Sequence, residues 1–105
     1  MNQTPGGPAL DQKRHLVTSI PGPKSQALHA KRLQAVSAGI SSTLPIYVEA
    51  AGDGIIRDID GNSLIDLGAG IAVVNVGNSA THVVENVQKQ VAQFTHTCFM
   101  VAPYE

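Results

Sequence analysis

The stretch Tyr47-Val48-Glu49-Ala50-Ala51-Gly52-Asp53-Gly54-Ile55-Ile56-Arg57-Asp58-Ile59-Asp60-Gly61-Asn62-Ser63-Leu64-Ile65-Asp66-Leu67 sets three short runs of strand-forming residues around two turn signals. Gly52-Asp53-Gly54 reads as a tight turn joining strands over 47–50 and 55–59. Asp60-Gly61-Asn62 reads as a second turn, because Asp and Asn side chains hydrogen-bond nearby backbone and Gly accepts a positive φ. Leu64-Ile65-Asp66-Leu67 then predicts a third strand. The β-branched residues suit a pleated, half-buried surface, and the whole predicts a small antiparallel β-meander.

Upstream, residues 1–12 are rich in Gly, Pro and polar residues and show no helical or strand period. Ile20-Pro21-Gly22-Pro23 forces extended or turned backbone, so 1–24 is expected to be a disordered N-terminal tail. Ser25 is a candidate N-cap, Leu28, Leu33 and Val36 give a weak apolar stripe, and Gly39 suits a helix end. These signals predict a helix over 26–38. Downstream, Gly68-Ala69-Gly70 ends the meander, and an irregular apolar stretch runs from Ile71 to Val76. After a turn at Gly77-Asn78, Ser79 or Thr81 is expected to cap an amphipathic helix running to about Phe94. Val84, Val87, Val91 and Phe94 share one face, while Glu85 and Lys89 are spaced to pair on the other.

The 105 residues suffice for one small domain and not for two. Hydrophobic residues make up 43% and charged residues 14%, a globular rather than a disordered balance. With two Phe, two Tyr and no Trp, a self-contained core would be lean, and the chain is expected to lean on further sequence. A net charge of −1 with scattered Lys and Arg argues against nucleic acid as a partner. The start of the chain has neither a basic-then-apolar leader nor a long lipophilic run, so no membrane association and a cytoplasmic location are expected. The single cysteine, Cys98, has no internal disulfide partner.

No residue constellation by itself announces chemistry. Gly68, Gly70 and Gly77 do not form a nucleotide loop, because the third glycine and the following helix of that motif are missing. They read instead as backbone bends. His96 and Cys98 fall short of the four convergent ligands of a structural zinc site, and residues two apart point away from each other, which disfavours a nucleophile and base pair. Asp58, Asp60 and Asp66 lack the fixed separation of an acid dyad. Asp60 and Asn62 read as turn formers, and Asp58 and Asp66 as solvent-facing strand residues or local anchors.

From 24 to 105 the order of segments resembles the opening of class III aminotransferases, the fold-type I enzymes that include 4-aminobutyrate, ornithine and acetylornithine aminotransferases. Ser42-Thr43-Leu44-Pro45-Ile46-Tyr47-Val48-Glu49-Ala50-Ala51 looks like the family's approach to its first strand, and Ile56-Arg57-Asp58-Ile59-Asp60-Gly61-Asn62 like its hairpin. Leu64-Ile65-Asp66-Leu67-Gly68-Ala69-Gly70-Ile71-Ala72-Val73 is similar to the pattern Y-L/I-D-F-x-x-G-I-A-V. Phe94-Thr95-His96-Thr97-Cys98-Phe99 resembles the H-T-C-F stretch of the 4-aminobutyrate members. One departure is Gly77-Asn78-Ser79-Ala80-Thr81, where the family usually has Gly-His-x-His/Pro.

The resemblance implies an α/β fold of which this chain is the N-terminal portion, an incomplete domain of helix, small antiparallel β-meander and amphipathic helix. It places 25–76 in the small domain and 77–105 at the start of the large cofactor-binding domain. It implies transfer of the amine of 4-aminobutyrate to 2-oxoglutarate through pyridoxal phosphate in a homodimer. Ile71 would line the substrate pocket, or else simply pack behind a glycine bend, and Cys98 and Phe99 would lie in a loop near the active site and dimer interface, with a plain core position the alternative for either. The Schiff-base lysine and the other cofactor contacts would fall beyond Glu105, so no catalytic, cofactor-binding or metal residue is expected here and the isolated chain is expected to be inactive. Two rivals stay open: a non-catalytic interaction module or truncated pseudo-enzyme using the apolar face of helix 81–95, and a sibling enzyme acting on ornithine or another ω-amino acid.

Overall fold

The computed structural model describes residues 9–105. Helix α1 (Pro23–Ala35) leads into strands β1 (Val48–Gly52), β2 (Ile55–Asp58) and β3 (Ser63–Ile65), a short helical turn α2 (Ala69–Ala72) and helix α3 (Thr81–Gln93). The strands form one antiparallel sheet in the order β1-β2-β3, the meander expected from the turn residues. Gly52 pairs with Ile55 across the two-residue turn Asp53-Gly54, and a register shift between Val48 and Ala50 marks a bulge in β1. The third strand starts and ends earlier than its apolar run suggests; the Asp66 amide still donates to the Gly54 carbonyl at 2.9 Å, while its side chain serves the following turn.

Beneath the second turn lies a buried polar cluster. Asp58 Oδ1 accepts the amides of Asp60 at 3.0 Å and Asn62 at 2.8 Å, and its Oδ2 accepts Asn62 Nδ2 at 2.9 Å. Gly61 closes the turn at φ +90, a conformation glycine adopts without Cβ strain. Asp58 is therefore fully buried, not the solvent-facing residue that strand alternation suggested, and the anchoring alternative is the one the structure shows.

The same cluster organises part of the expected tail. Asn62 Oδ1 accepts the amides of Val17 at 2.8 Å and Thr18 at 2.9 Å, and Asn62 Nδ2 donates to Thr18 Oγ1 at 2.8 Å. His15 forms an antiparallel bridge with Ser63 on the outer edge of β3, and Gln12 accepts from the Gly54 amide and donates to the Gly52 carbonyl. Residues 12–18 thus strap the meander across both turns. Of the tail expected over 1–24, residues 1–8 lie outside the described residues.

Helix α1 starts before the expected position, and Ser25 is inside it rather than at its N-cap. Pro23, whose fixed φ and missing N–H suit the first helical turn, sets the start after Gly22. The cap comes from a distant residue: Asp60 Oδ1 accepts the Lys24 amide at 2.7 Å and Oδ2 the Ser25 amide at 2.9 Å. Helix α1 ends at Ala35 with Val36 extended, so Gly39 does not serve as its terminator. Arg32 Nη2 donates to the Ile40 carbonyl and folds the loop back onto the helix.

Helix α3 matches the valine spacing but not the expected caps. Ala80 occupies the N-cap without a side-chain hydrogen bond, and the Ser79 hydroxyl turns toward the Ala51 carbonyl at 3.4 Å. Among the described residues the ion pairs are Lys13–Asp11 and Arg57–Glu49, so Glu85 and Lys89 stay apart, consistent with the entropy cost of ordering two exposed side chains. No residue of α3 is buried, and among the described residues Ile55, at 3% exposure, is the one buried hydrophobic side chain. The radius of gyration is 17.2 Å, against about 13 Å for a compact domain of this length. Among the described residues the main contacts between helices and strands are those of β1 with β2 and of β2 with β3.

Candidate functional site

Between β3 and α3 the backbone makes a turn of unusual hand. Ala69, Gly70, Ile71 and Ala72 have φ of 46, 62, 61 and 61, all in the left-handed region. For L-residues that region costs about 1–2 kcal/mol each, and a β-branched Ile there is a marked outlier. Such strain persists only where surrounding bonds over-determine the backbone. Here Asp66 Oδ1 accepts the amides of Gly68 at 3.1 Å and Ala69 at 2.8 Å, fixing the entry to the turn. Its exit is closed by Ala72 N–H to Gly68 O at 3.1 Å and Val73 N–H to Ala69 O at 2.9 Å.

Asn78 completes the frame. Its Nδ2 donates to Asp66 Oδ2 at 3.2 Å, and its backbone pairs with Asp53 through bonds of 2.9 and 2.8 Å. The left-handed turn is thereby tied to Asp66, the residue after β3, and through Asn78 to the β1–β2 turn. The Gly77-Asn78 signal was legible as a turn, but its attachment to Asp53, 25 residues earlier, was not.

The turn overhangs a cleft of about 510 Å³ against one face of the sheet. Val48, Ala51, Ile56, Ile71, Val73 and Val74 make it mainly apolar, with Asp66 and Asn78 at a polar margin. Ile71 lines it while remaining 94% exposed. Sequence reasoning singled out Ile71 and missed Asp66 and Asn78 as parts of the same site. Asp followed two and three residues on by small residues is the local signal that would have marked the Asp66 turn.

The other residues singled out lie elsewhere. Cys98, at φ 56, is partly exposed and heads a turn in which its carbonyl accepts the amides of Val101 and Ala102. Phe99 is more than half exposed and packs edge-on to Tyr104 with ring centroids 5.4 Å apart, while Phe94 meets the same tyrosine at 5.1 Å. Neither Cys98 nor Phe99 lines the cleft. Among the described residues no three His, Cys, Asp or Glu side chains gather as a metal site, and no helix is long and apolar enough to cross a membrane.

Comparison with known proteins matches residues 36–105 to the class III aminotransferase family model, a span that includes the whole cleft. The chain is 62% identical over 97 residues to a 4-aminobutyrate aminotransferase of Mycobacterium tuberculosis, covering 92% of this chain and 22% of that protein. A 4-aminobutyrate aminotransferase of Mycobacterium leprae is 57% identical over 98 residues, with the same coverage. A 5-aminovalerate aminotransferase of Pseudomonas putida is 40% identical over 81 residues, covering 77% of this chain and 19% of the relative. The chain spans about a fifth of the length of these relatives. With the family match covering two thirds of its residues and running through the meander, the left-handed turn and α3, this chain belongs to the class III aminotransferases.

Proposed function

We propose that this chain serves a pyridoxal-phosphate-dependent aminotransferase that moves the amine of 4-aminobutyrate to 2-oxoglutarate, and that its part is to build one wall of the substrate pocket. The supporting observation is the apolar cleft under the left-handed turn, inside the family match and in a chain so similar to 4-aminobutyrate enzymes. An apolar wall at Ile71 suits the methylene chain of an ω-amino acid, at about 0.8 kcal/mol per buried methylene. The Ile71 side chain itself offers no partner to a charged group, which would be costly to bury against it.

Class III aminotransferases use pyridoxal phosphate, which supplies the electron sink for moving the amine. The residues of this chain do not by themselves fit that group. None of its lysines lines the cleft, and Lys89 sits on the exposed surface of α3. What the chain contributes is shape and exclusion of water along the substrate's carbon chain. In the same reading 25–76 belongs to the small domain and 77–105 to the start of the large one, within a fold-type I architecture. Cys98 and Phe99 lie near the interface of a cytoplasmic homodimer.

The test is glutamate formation from 2-oxoglutarate by the natural protein carrying this chain, with 4-aminobutyrate and ornithine offered in turn. Turnover of 4-aminobutyrate that needs pyridoxal phosphate is expected, and turnover of ornithine alone would overturn the substrate. The isolated 105-residue chain is expected to give none.

A further inference from the structure

We infer that Asp66 and Asn78 are positioning residues for substrate specificity, holding the strained turn so that Ile71 stands at the cleft; the inference rests on the reading of Ile71 as a pocket residue. Four consecutive residues with positive φ, one of them β-branched, do not hold such a shape unaided. Within the turn the bonds run from Gly68 and Ala69 to Ala72, Val73 and Val74, and they leave its direction relative to the sheet unfixed. Direction comes from outside. Asp66 uses one carboxylate oxygen on the amides of Gly68 and Ala69 and the other on Asn78 Nδ2.

Asn78 in turn is joined to Asp53 by both of its backbone groups, and Asp53 is the turn residue between β1 and β2. The Asp66 amide, on the Gly54 carbonyl at 2.9 Å, anchors the start of the turn, and one carboxylate and one carboxamide refer the wall bearing Ile71 to the strands bearing Val48, Ala51 and Ile56 on the other side of the cleft. A smaller hollow of about 200 Å³ also borders Asp66, Val74 and Asn78, so these side chains form a partition with space on both sides. Loss of the Asn78 amide is expected to let the turn slide toward that hollow. Cleft width, and with it the length of ω-amino acid accepted, then follows from the Asp66–Asn78 bond.

The experiment compares N78A, N78H, I71A and the N78A/I71A pair in the holoenzyme that carries this chain, with 4-aminobutyrate and 5-aminovalerate as amino donors. N78A is expected to raise KM for 4-aminobutyrate about 3- to 10-fold, the equivalent of one hydrogen bond, with kcat little changed and the preference shifted toward the longer donor. N78H, which restores a ring N–H donor, is expected to recover much of the loss. In the I71A background N78A is expected to have no further effect. Amide hydrogen exchange at Gly68 and Ala69 should quicken in N78A whatever the activity. An unchanged KM in N78A, in an enzyme where I71A does raise it, overturns the inference alone. An unchanged KM in I71A overturns the pocket reading and the inference with it.

Discussion

Gly22 and Asp60 fit together by exclusion: a Cβ built on Gly22 would stand 2.7 Å from both Cβ and Oδ1 of Asp60. The backbone of Gly22, at φ −75 and ψ 171, is open to any residue, so the glycine is required by space and not by conformation. Only with that space does the Asp60 carboxylate reach the first two amides of α1. Gly22→Ala is therefore expected to destabilise the strapped meander by about 1–3 kcal/mol, as overpacking does. The change should be seen as a lower urea midpoint and faster exchange of the Lys24 and Ser25 amides.

The capping role also fixes a pH dependence. Desolvation pushes the Asp60 carboxyl up, but the neighbouring Ser25 side chain, the Lys24 and Ser25 amides and the Lys24 charge together outweigh it and hold the pKa below its ordinary value of 3.8. A carboxylate whose folded pKa is depressed adds stability above the unfolded value, and that stability is lost as the pH falls through the folded one. Acid titration of α1 helicity should show this loss below pH 3.8, and Asp60→Asn should reduce stability near neutrality while flattening the acid limb.

Asn62 is fully buried and joins the strap to the meander through its amide. Asn62→Ala strands the amides of Val17 and Thr18 and removes one donor from the Asp58 carboxylate. A fully buried group left without a partner costs about 1–3 kcal/mol, and the part-buried amides of Val17 and Thr18 should fall at or below the low end of that range. Limited proteolysis should then cut within 12–18 before it cuts the strands, and more readily than in the parent chain.

By contrast, the Arg57–Glu49 pair at 3.2 Å joins two exposed side chains. A double-mutant cycle through Arg57→Ala and Glu49→Ala is expected to give a coupling of no more than about 1 kcal/mol, falling further with added salt.

These residues also show what could be read in advance. The two turns of the meander and the valine stripe of α3 announce themselves locally, since turn chemistry and helical period act over a few neighbours. The position of Ile71 came through likeness of pattern, not through propensity, which disfavours a β-branched residue at φ 61. Ser25 was misread as a cap because the true cap, Asp60, lies 35 residues further on. The strap was read as tail for a similar reason: its partners, Asn62 and Ser63, are 44–48 residues away and its own composition is polar. Asp66 and Asn78 carry no local sign that they meet, being 12 residues apart across the left-handed turn.

The bridge between His15 and Ser63 has a consequence for how copies of this chain behave toward one another. Unpaired strand margins are templates on which a neighbour can add a strand. His15 both donates to and accepts from Ser63, closing the outer margin of β3 at its start, and the bulge between Val48 and Ala50 breaks the regular spacing of the opposite margin. With so little apolar interior, the sheet would otherwise be a natural nucleus for cross-chain ribbon growth; one residue pair and one irregularity work against it on both sides.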